Sequence, residues 1–219
     1  MIIAIDGPSG AGKSTVARLL SNKLGFEYMD TGAMYRALAY KAYISNIEIN
    51  EANEQEVEEM LKTTSVDYYN NNIFLDNKNV EDLIRDEVIS IGASKISALK
   101  TVRIKMVQLQ RKIAENKNVV IDGRDIGTKV FPNADYKFFI TASEKTRAYR
   151  RFNQLTVDGK DVDFENVLSD LKIRDINDTT RKISPLMKAE DAILIDTTDM
   201  NLNDVIETIA NIIGGNNVL

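Results

Sequence analysis

The chain has no cysteine and no histidine. Without cysteine there is no disulfide, no thiol nucleophile and no cysteine-rich zinc site. Without histidine there is no Ser-His-Asp relay, no imidazole metal ligand and no histidine acid–base catalyst. An enzyme built from this sequence must use carboxylates, lysine, arginine, hydroxyls, backbone amides or a metal held by oxygen. Phosphoryl transfer fits that inventory, because it demands mainly positioning and charge neutralisation.

A basic surplus is also missing. The 219 residues carry 28 Lys+Arg against 33 Asp+Glu, a net charge of −5. That weighs against nucleic acid as a partner but leaves small phosphorylated ligands open, since a few converging cations suffice for those. No apolar stretch approaches membrane-spanning length, so no membrane is expected. Ile2–Ile5 lacks a basic flank and meets Asp6 and Gly7 too early for a signal peptide, and the cytoplasm is the expected location.

Short apolar runs alternate with helical patterns, which predicts an α/β fold: a P-loop, doubly wound, five-stranded parallel sheet. The strand candidates are Ile2–Ile5, Phe26–Met29, Val119–Ile121, Tyr136–Ile140 and Ala192–Ile195. Helices are expected over Ser14–Leu24, Leu99–Glu115 and about Asn203–Ile213, with the tail through Asn217 fraying. In the second of these, Val102, Met106, Leu109 and Ile113 share one face. Residues 47–94 break the alternation. There an acidic helix (Glu51–Lys62) precedes Ser65–Tyr69 and Ile73–Leu75, and the Asn70-Asn71-Asn72 cluster between them signals a hairpin in a small antiparallel α+β insert. Residues 1–46 and 95–219 form the core, and the charged stretch 154–184 reads as a mobile arm or helical lid.

Gly7-Pro8-Ser9-Gly10-Ala11-Gly12-Lys13-Ser14 satisfies G-x-x-x-x-G-K-[ST] between an apolar strand and a helix. The glycines let successive N–H groups converge on phosphate oxygens, and the helix adds its positive end. Lys13 is placed to reach the β- and γ-phosphates of ATP, Ser14 to coordinate Mg²⁺, and Thr15 completes the loop. ATPases, GTPases and kinases share this motif. A guanine switch is disfavoured: Asn77-Lys78-Asn79-Val80 and Asn116-Lys117-Asn118-Val119 both lack the aspartate that binds guanine.

Two more strand ends carry charge, Asp30-Thr31-Gly32-Ala33-Met34-Tyr35-Arg36 and Asp122-Gly123-Arg124-Asp125-Ile126-Gly127. Ligands of doubly wound sheets bind beyond the carboxyl ends of strands. Thr31 is a candidate helix cap, with Arg36 one turn in near an anion position, and a plain cap with a solvated arginine is the other reading. Asp122 is open between a water-mediated Mg²⁺ contact and a turn-stabilising role.

Together with the phosphate loop, these two motifs resemble the bacterial cytidylate kinases in order and spacing, over essentially the whole chain. The resemblance implies transfer of the γ-phosphoryl of ATP to CMP or dCMP, with Mg²⁺, a lid that closes over ATP, and an insert that helps form the CMP pocket. It implies that Thr31 and Arg36 contact the acceptor and its phosphate, and that Ser94, Arg103 and Asp125 face cytosine. It places Arg124 and Arg181 on phosphate, Arg174 and Asp178 on ribose, and Arg147 and Arg151 on ATP from the lid. It also implies a monomer. Lys13, Arg124, Arg181, Arg147 and Arg151 are then the candidate catalytic residues.

Cytosine offers an amino donor and a ring acceptor where uracil offers the reverse. A carboxylate with an arginine therefore selects cytosine, and Asp125 with Arg103 supplies that pair. A structural ion pair is the alternative from the residues alone. A kinase for another small acceptor (UMP, a sugar acid, a coenzyme precursor) is the nearest rival, and a nucleotide-dependent regulator using the arginine-rich stretch is the more distant one. Interspersed acids also allow that stretch to be a solvated helical face.

Overall fold

The computed structural model describes residues 1–50, 52–69 and 71–215. Glu51, the expected start of the acidic helix, Asn70 of the hairpin cluster, and Asn216 and Asn217 of the tail lie outside the described residues. The chain forms two compact units: Met1–Tyr28 with the chain from Asn118 on, and Met29–Lys117.

The first unit begins with β1 (Ile2–Asp6) and α1 (Lys13–Leu24), and the chain passes into the second along β2 (Glu27–Asp30). There follow α2 (Thr31–Ile44), α3 (Glu54–Thr63), β3 (Val66–Tyr69), β4 (Asn72–Leu75), β5 (Lys78–Asn79), α4 (Glu87–Ile96) and α5 (Lys100–Ala114). The return to the first unit adds β6 (Val119–Gly123), a π-helical turn at Ile126–Val130, and β7 (Tyr136–Thr141). The chain then runs through α6 (Glu144–Val157), α7 (Phe164–Thr180), β8 (Ile193–Asp196) and α8 (Leu202–Gly215).

The main sheet has the order β2-β6-β1-β7-β8, with β1 parallel to both β6 and β7, and β7 parallel to β8. Every residue of β6 and all but the first of β1 are buried, as parallel strands covered on both faces must be. Edge strand β8 instead leaves Ile193 and Leu194 exposed. On one face the core gathers Ile3, Ile5 and Phe138 from the sheet with Val16 and Leu20 of α1 and Val205 and Ile209 of α8.

In the second unit α2 packs on α4, where Gly92 permits close approach: a Cβ there would stand 3.1 Å from that of Ala39. The expected hairpin forms, pairing Val66 with Leu75 and Tyr68 with Ile73 on its buried side, while Tyr69 stacks on Phe74 at 4.2 Å. A third strand, β5, and helix α4 extend it beyond the expectation. Asp76 and Asn77 make the β4–β5 turn at φ 49° and 64°, the left-handed pair a two-residue hairpin turn needs. The buried stripe of α5 is only in part the apolar one expected. Val102 and Met106 of the expected face are buried, but Arg103, Gln110 and Ala114 share the buried side with them, whereas Leu109 and Ile113 are only half-buried. The 154–184 stretch is largely helical: its first residues finish α6, and α7 packs on α6 with Val167 and Leu171 buried one turn apart.

Candidate functional site

The phosphate loop joins the end of β1 to α1. Gly7 adopts φ 148°, and a side chain there would drive a Cβ to 1.9 Å from the Ile140 carbonyl oxygen, so only glycine lets the loop leave the sheet at this point. Lys13 is buried and donates to the Pro8 carbonyl at 2.8 Å, folding the loop across its own ammonium. Burial, helped by the charge of Arg124, pulls that ammonium from 10.5 down to about 7 against the opposing carboxylates of Asp122, Asp178 and Asp6. Such a cation is short of negative charge. Ser14 and Thr15 are exposed in the first turn of α1, and Ser14 Oγ donates to Asp122 Oδ2 at 2.7 Å. The other oxygen of Asp122 accepts from the Tyr28 hydroxyl at 2.9 Å, so a buried carboxylate is held between two hydroxyls beside the loop.

At the ends of β1 and β6 the cluster continues. Arg124 Nε donates to Asp178 Oδ2 at 2.8 Å. Burial works against the guanidinium charge, but Asp178 outweighs it and holds Arg124 above its ordinary value. Arg181 lies 3.8 Å from Asp178 and 3.7 Å from Asp125, and its Nε donates to the Ser184 carbonyl. Lys13, Asp122, Arg124, Asp125, Asp178 and Arg181 are therefore brought together, spanning the phosphate loop, the end of β6 and the C-terminal end of α7. Asp6 joins them, a residue to which its place in the sequence assigns no role. It is buried at the last position of β1, and its two oxygens accept from the Ile126 and Gly127 amides at 2.8 and 2.7 Å. Desolvation raises its carboxyl to about 6 in spite of those two bonds.

The arginines of α6 divide differently from the expectation. Arg147 is buried, donating to the Ala142 and Ser9 carbonyls at 2.9 Å each and to Asp175 at 2.6 Å. It fastens the phosphate loop to α6 and α7. Arg151 donates to Gln154 within its own helix at 3.1 Å. Arg150, which the sequence reading passed over, reaches the Ala11 carbonyl at 3.4 Å and grips Thr197 through its hydroxyl and carbonyl. Arg150 and Arg151, three and four residues from Arg147, flank it on opposite sides, and Arg150 takes the side that reaches the Ala11 carbonyl. Arg174 is half-buried on α7, next to Asp175.

Within the second unit Asp30, not Thr31, caps α2. Its Oδ1 accepts from Ala33 N at 2.8 Å, and Thr31 becomes the first, buried helical residue. Asp30 also takes Arg36 into an ion pair at 2.9 Å, so both expected residues are organised by a neighbour the sequence reading used only as motif. Arg103 is buried on α5, donating to the Ser97 carbonyl at 3.2 Å with its guanidinium 5.6 Å above the Tyr35 ring. Ser94 is half-buried on α4, and its carbonyl accepts from the Ser97 hydroxyl at 2.9 Å.

Chemically, the first unit offers a glycine-rich cradle with a buried, anion-seeking lysine, a hydroxyl–carboxylate pair and two arginines. The second offers two organised arginines. No described helix is long and apolar enough to cross a membrane. In comparisons with known proteins, the solved structure of an uncharacterised protein from Eubacterium ventriosum superposes over 98% of both chains with a TM-score of 0.53 at 16% identity, a likeness of fold alone. Sequence relatives say more. The chain is 49% identical to the cytidylate kinase of Caldanaerobacter subterraneus subsp. tengcongensis, over 94% of this chain and 92% of that one. It is 46% identical to that of Alkaliphilus oremlandii, over 97% of each. For the cytidylate kinase of Clostridioides difficile the figure is 44%, over 95% and 96%. The cytidylate kinase family model matches residues 3–214, and the chain belongs to the cytidylate kinase family.

Proposed function

We propose that this protein transfers the γ-phosphoryl of ATP to CMP or dCMP, giving ADP and the corresponding diphosphate. Family membership along nearly the whole chain carries this reading, and the buried Lys13 in its glycine loop supports it. The phosphate loop, Gly7 through Thr15, takes the donor phosphates, with Lys13 regaining full charge against them. The acceptor's own phosphate oxygen is the nucleophile and is already ionised, so no protein base is needed. Arg124 and Arg181 offset the repulsion between two polyanions as they approach in line. Arg147 and Arg151 act on ATP from α6, just ahead of the lid, and Thr31 and Arg36 hold the acceptor phosphate. Arg174 and Asp178 hold ribose, with 47–94 as the acceptor-binding insert and 154–184 as the lid.

Among the described residues no group of three or more acidic side chains could cage a metal. Ser14 with Asp122 fits Mg²⁺ instead, an ion that takes one or two protein oxygens and keeps water and phosphate for the rest. When bound there it would neutralise charge on the donor phosphates.

Asp125 accepts from the cytosine amino group, and Arg103, with Ser94, donates to the ring acceptor and carbonyl. Uracil would face its carbonyl to a carboxylate, and leaving such groups unpaired costs about 1–3 kcal/mol. The reading carries with it a cytoplasmic monomer. The test is ADP release from Mg-ATP with CMP, dCMP, UMP, AMP and GMP separately. Fast turnover restricted to CMP and dCMP is expected. Turnover with UMP alone would keep the kinase and remove the base-reading argument, and none with any nucleotide would turn the assignment to other small acceptors and then to the regulator.

A further inference from the structure

Asp125 is proposed above to read the base, yet its side chain leaves a loop rather than a regular strand. It follows the end of β6 and precedes the π-helical turn at Ile126–Val130. That turn holds the Asp125 carbonyl, which accepts from the Lys129 and Val130 amides at 2.8 and 3.1 Å. The next two amides, Ile126 and Gly127, point away from the turn, and both end on the carboxylate of Asp6. Asp6 is the last residue of β1 and the immediate neighbour of Gly7, where the phosphate loop begins. One buried carboxylate thus ties the last residue of the strand that feeds the donor loop to the loop that carries Asp125. The packing there leaves little slack: a Cβ on Gly127 would stand 3.2 Å from Lys137 Cδ and 3.4 Å from Asp6 Oδ2.

A carboxylate suits this task better than any neutral side chain. It offers acceptors on both oxygens to two adjacent N–H donors, and charge strengthens both bonds. An asparagine keeps one acceptor and turns its own NH₂ against the second amide. The burial that makes this carboxylate expensive to ionise also makes the bonds it forms strong. A carboxylate kept in so buried a position, where an apolar residue would continue the strand, indicates a requirement for the bonds it makes.

We infer that Asp6 is a positioning residue for base recognition: by fixing the Ile126 and Gly127 amides it sets the direction of the Asp125 carboxylate relative to the phosphate loop. This rests on the proposed reading of cytosine by Asp125. Asp6 touches no substrate in this account and acts only through the loop.

The experiment compares steady-state kinetics of the full chain, wild type against Asp6→Asn, with CMP and UMP as acceptors and with ATP varied separately. The expected result is a rise of about tenfold in KM for CMP, a narrowing of the CMP-over-UMP ratio of kcat/KM, and KM for ATP within about twofold of wild type. A merely structural role would disturb the strand end that feeds Gly7 and raise KM for ATP as much as KM for CMP, leaving the base preference where it was. That outcome overturns the inference. Gly127→Ala is the second variant, since its methyl group would stand 3.4 Å from Asp6 Oδ2 and 3.2 Å from Lys137 Cδ and so crowds the carboxylate where it meets the two amides. It should give the same acceptor-selective signature. If neither variant folds, Asp6 is a core element and the inference fails. A wild-type enzyme with no preference for CMP would instead remove the function on which the inference rests.

Discussion

At the residue scale, the buried side chains that matter most are those whose charge or hydroxyl is answered from far along the chain. Lys13 is the clearest case for a measurement. With its ammonium pulled down to about 7, part of the population is neutral above neutrality when no phosphate is present. Donor phosphates favour the charged form, so binding must take up a proton, by an amount that grows as pH rises from about 6 to 8. Calorimetry of nucleotide binding in buffers of different ionisation enthalpy at pH 8 should show this uptake, and Lys13→Met should abolish it. The same variant should lower kcat by about a thousandfold without lowering Tm, since it removes a buried cation and leaves the core intact. Uptake that persists in Lys13→Met would place the titrating group elsewhere. Tyr28→Phe tests the hydroxyl that steadies Asp122. It should raise the Mg²⁺ concentration giving half-maximal rate by about tenfold while leaving the rate at saturating Mg²⁺ nearly unchanged; an unaltered Mg²⁺ profile would reduce that bond to packing. Lys13 and Ser14 stand out in sequence because the phosphate-loop motif names them, whereas Asp122 stays open there between a water-mediated Mg²⁺ contact and a turn-stabilising role. Tyr28 and Asp6 do not stand out, because their partners lie 94 and 120 residues away. The one signal for Asp6 was a charge closing an otherwise apolar strand.

At the element scale, the strands most legible in sequence were those buried on both faces. Continuous apolar runs such as Ile2–Ile5 and Val119–Ile121 have few other places to go in a chain of this length, and their observed ends differ from the expected ones by only a residue or two. Elements held by polar groups were less legible. The buried face of α5 includes Arg103 and Gln110, which no hydrophobic period would select. The apolar stripe of α7 is short, Val167 and Leu171 buried with Phe164 edge-on to Phe152, and polar anchors at Asp175 and Asp178 supply the rest, which no hydrophobic period reveals. Arg147 then bolts α6 to both α7 and the phosphate loop through Asp175 and the Ser9 carbonyl. A lid role for 154–184 therefore predicts a specific change. Proteolysis at the basic residues of this stretch should slow several-fold when an analogue linking both nucleotides is added, and Asp175→Asn, which weakens the bolt, should lessen that protection. Cleavage indifferent to the analogue would leave the two helices as a solvated face.

At the scale of the whole molecule, the two residues proposed to read the base are each anchored within their own compact unit. Asp125 is anchored by Asp6 and the π-helical turn in the first, and Arg103 by the Ser97 carbonyl and the Tyr35 ring in the second. Each anchor is local, so each side chain can be removed without disturbing the scaffold of the other. That makes a double-mutant cycle interpretable. If both groups address the same cytosine, Asp125→Ala and Arg103→Ala should each lower kcat/KM for CMP more than for UMP. Their combination should then cost less than the sum of the single losses. A base held at one edge by two charged groups loses most of its orientation when either goes, so the second removal has less to take away. The coupling in kcat/KM for CMP should fall within about 0.5–3 kcal/mol, the range for residues acting on a common partner, and the same cycle read with UMP should show little. Strict additivity with CMP would mean that the two side chains serve different parts of the acceptor. Asp125 alone would then carry the choice of base, and the buried arginine would belong to the fold of its own unit.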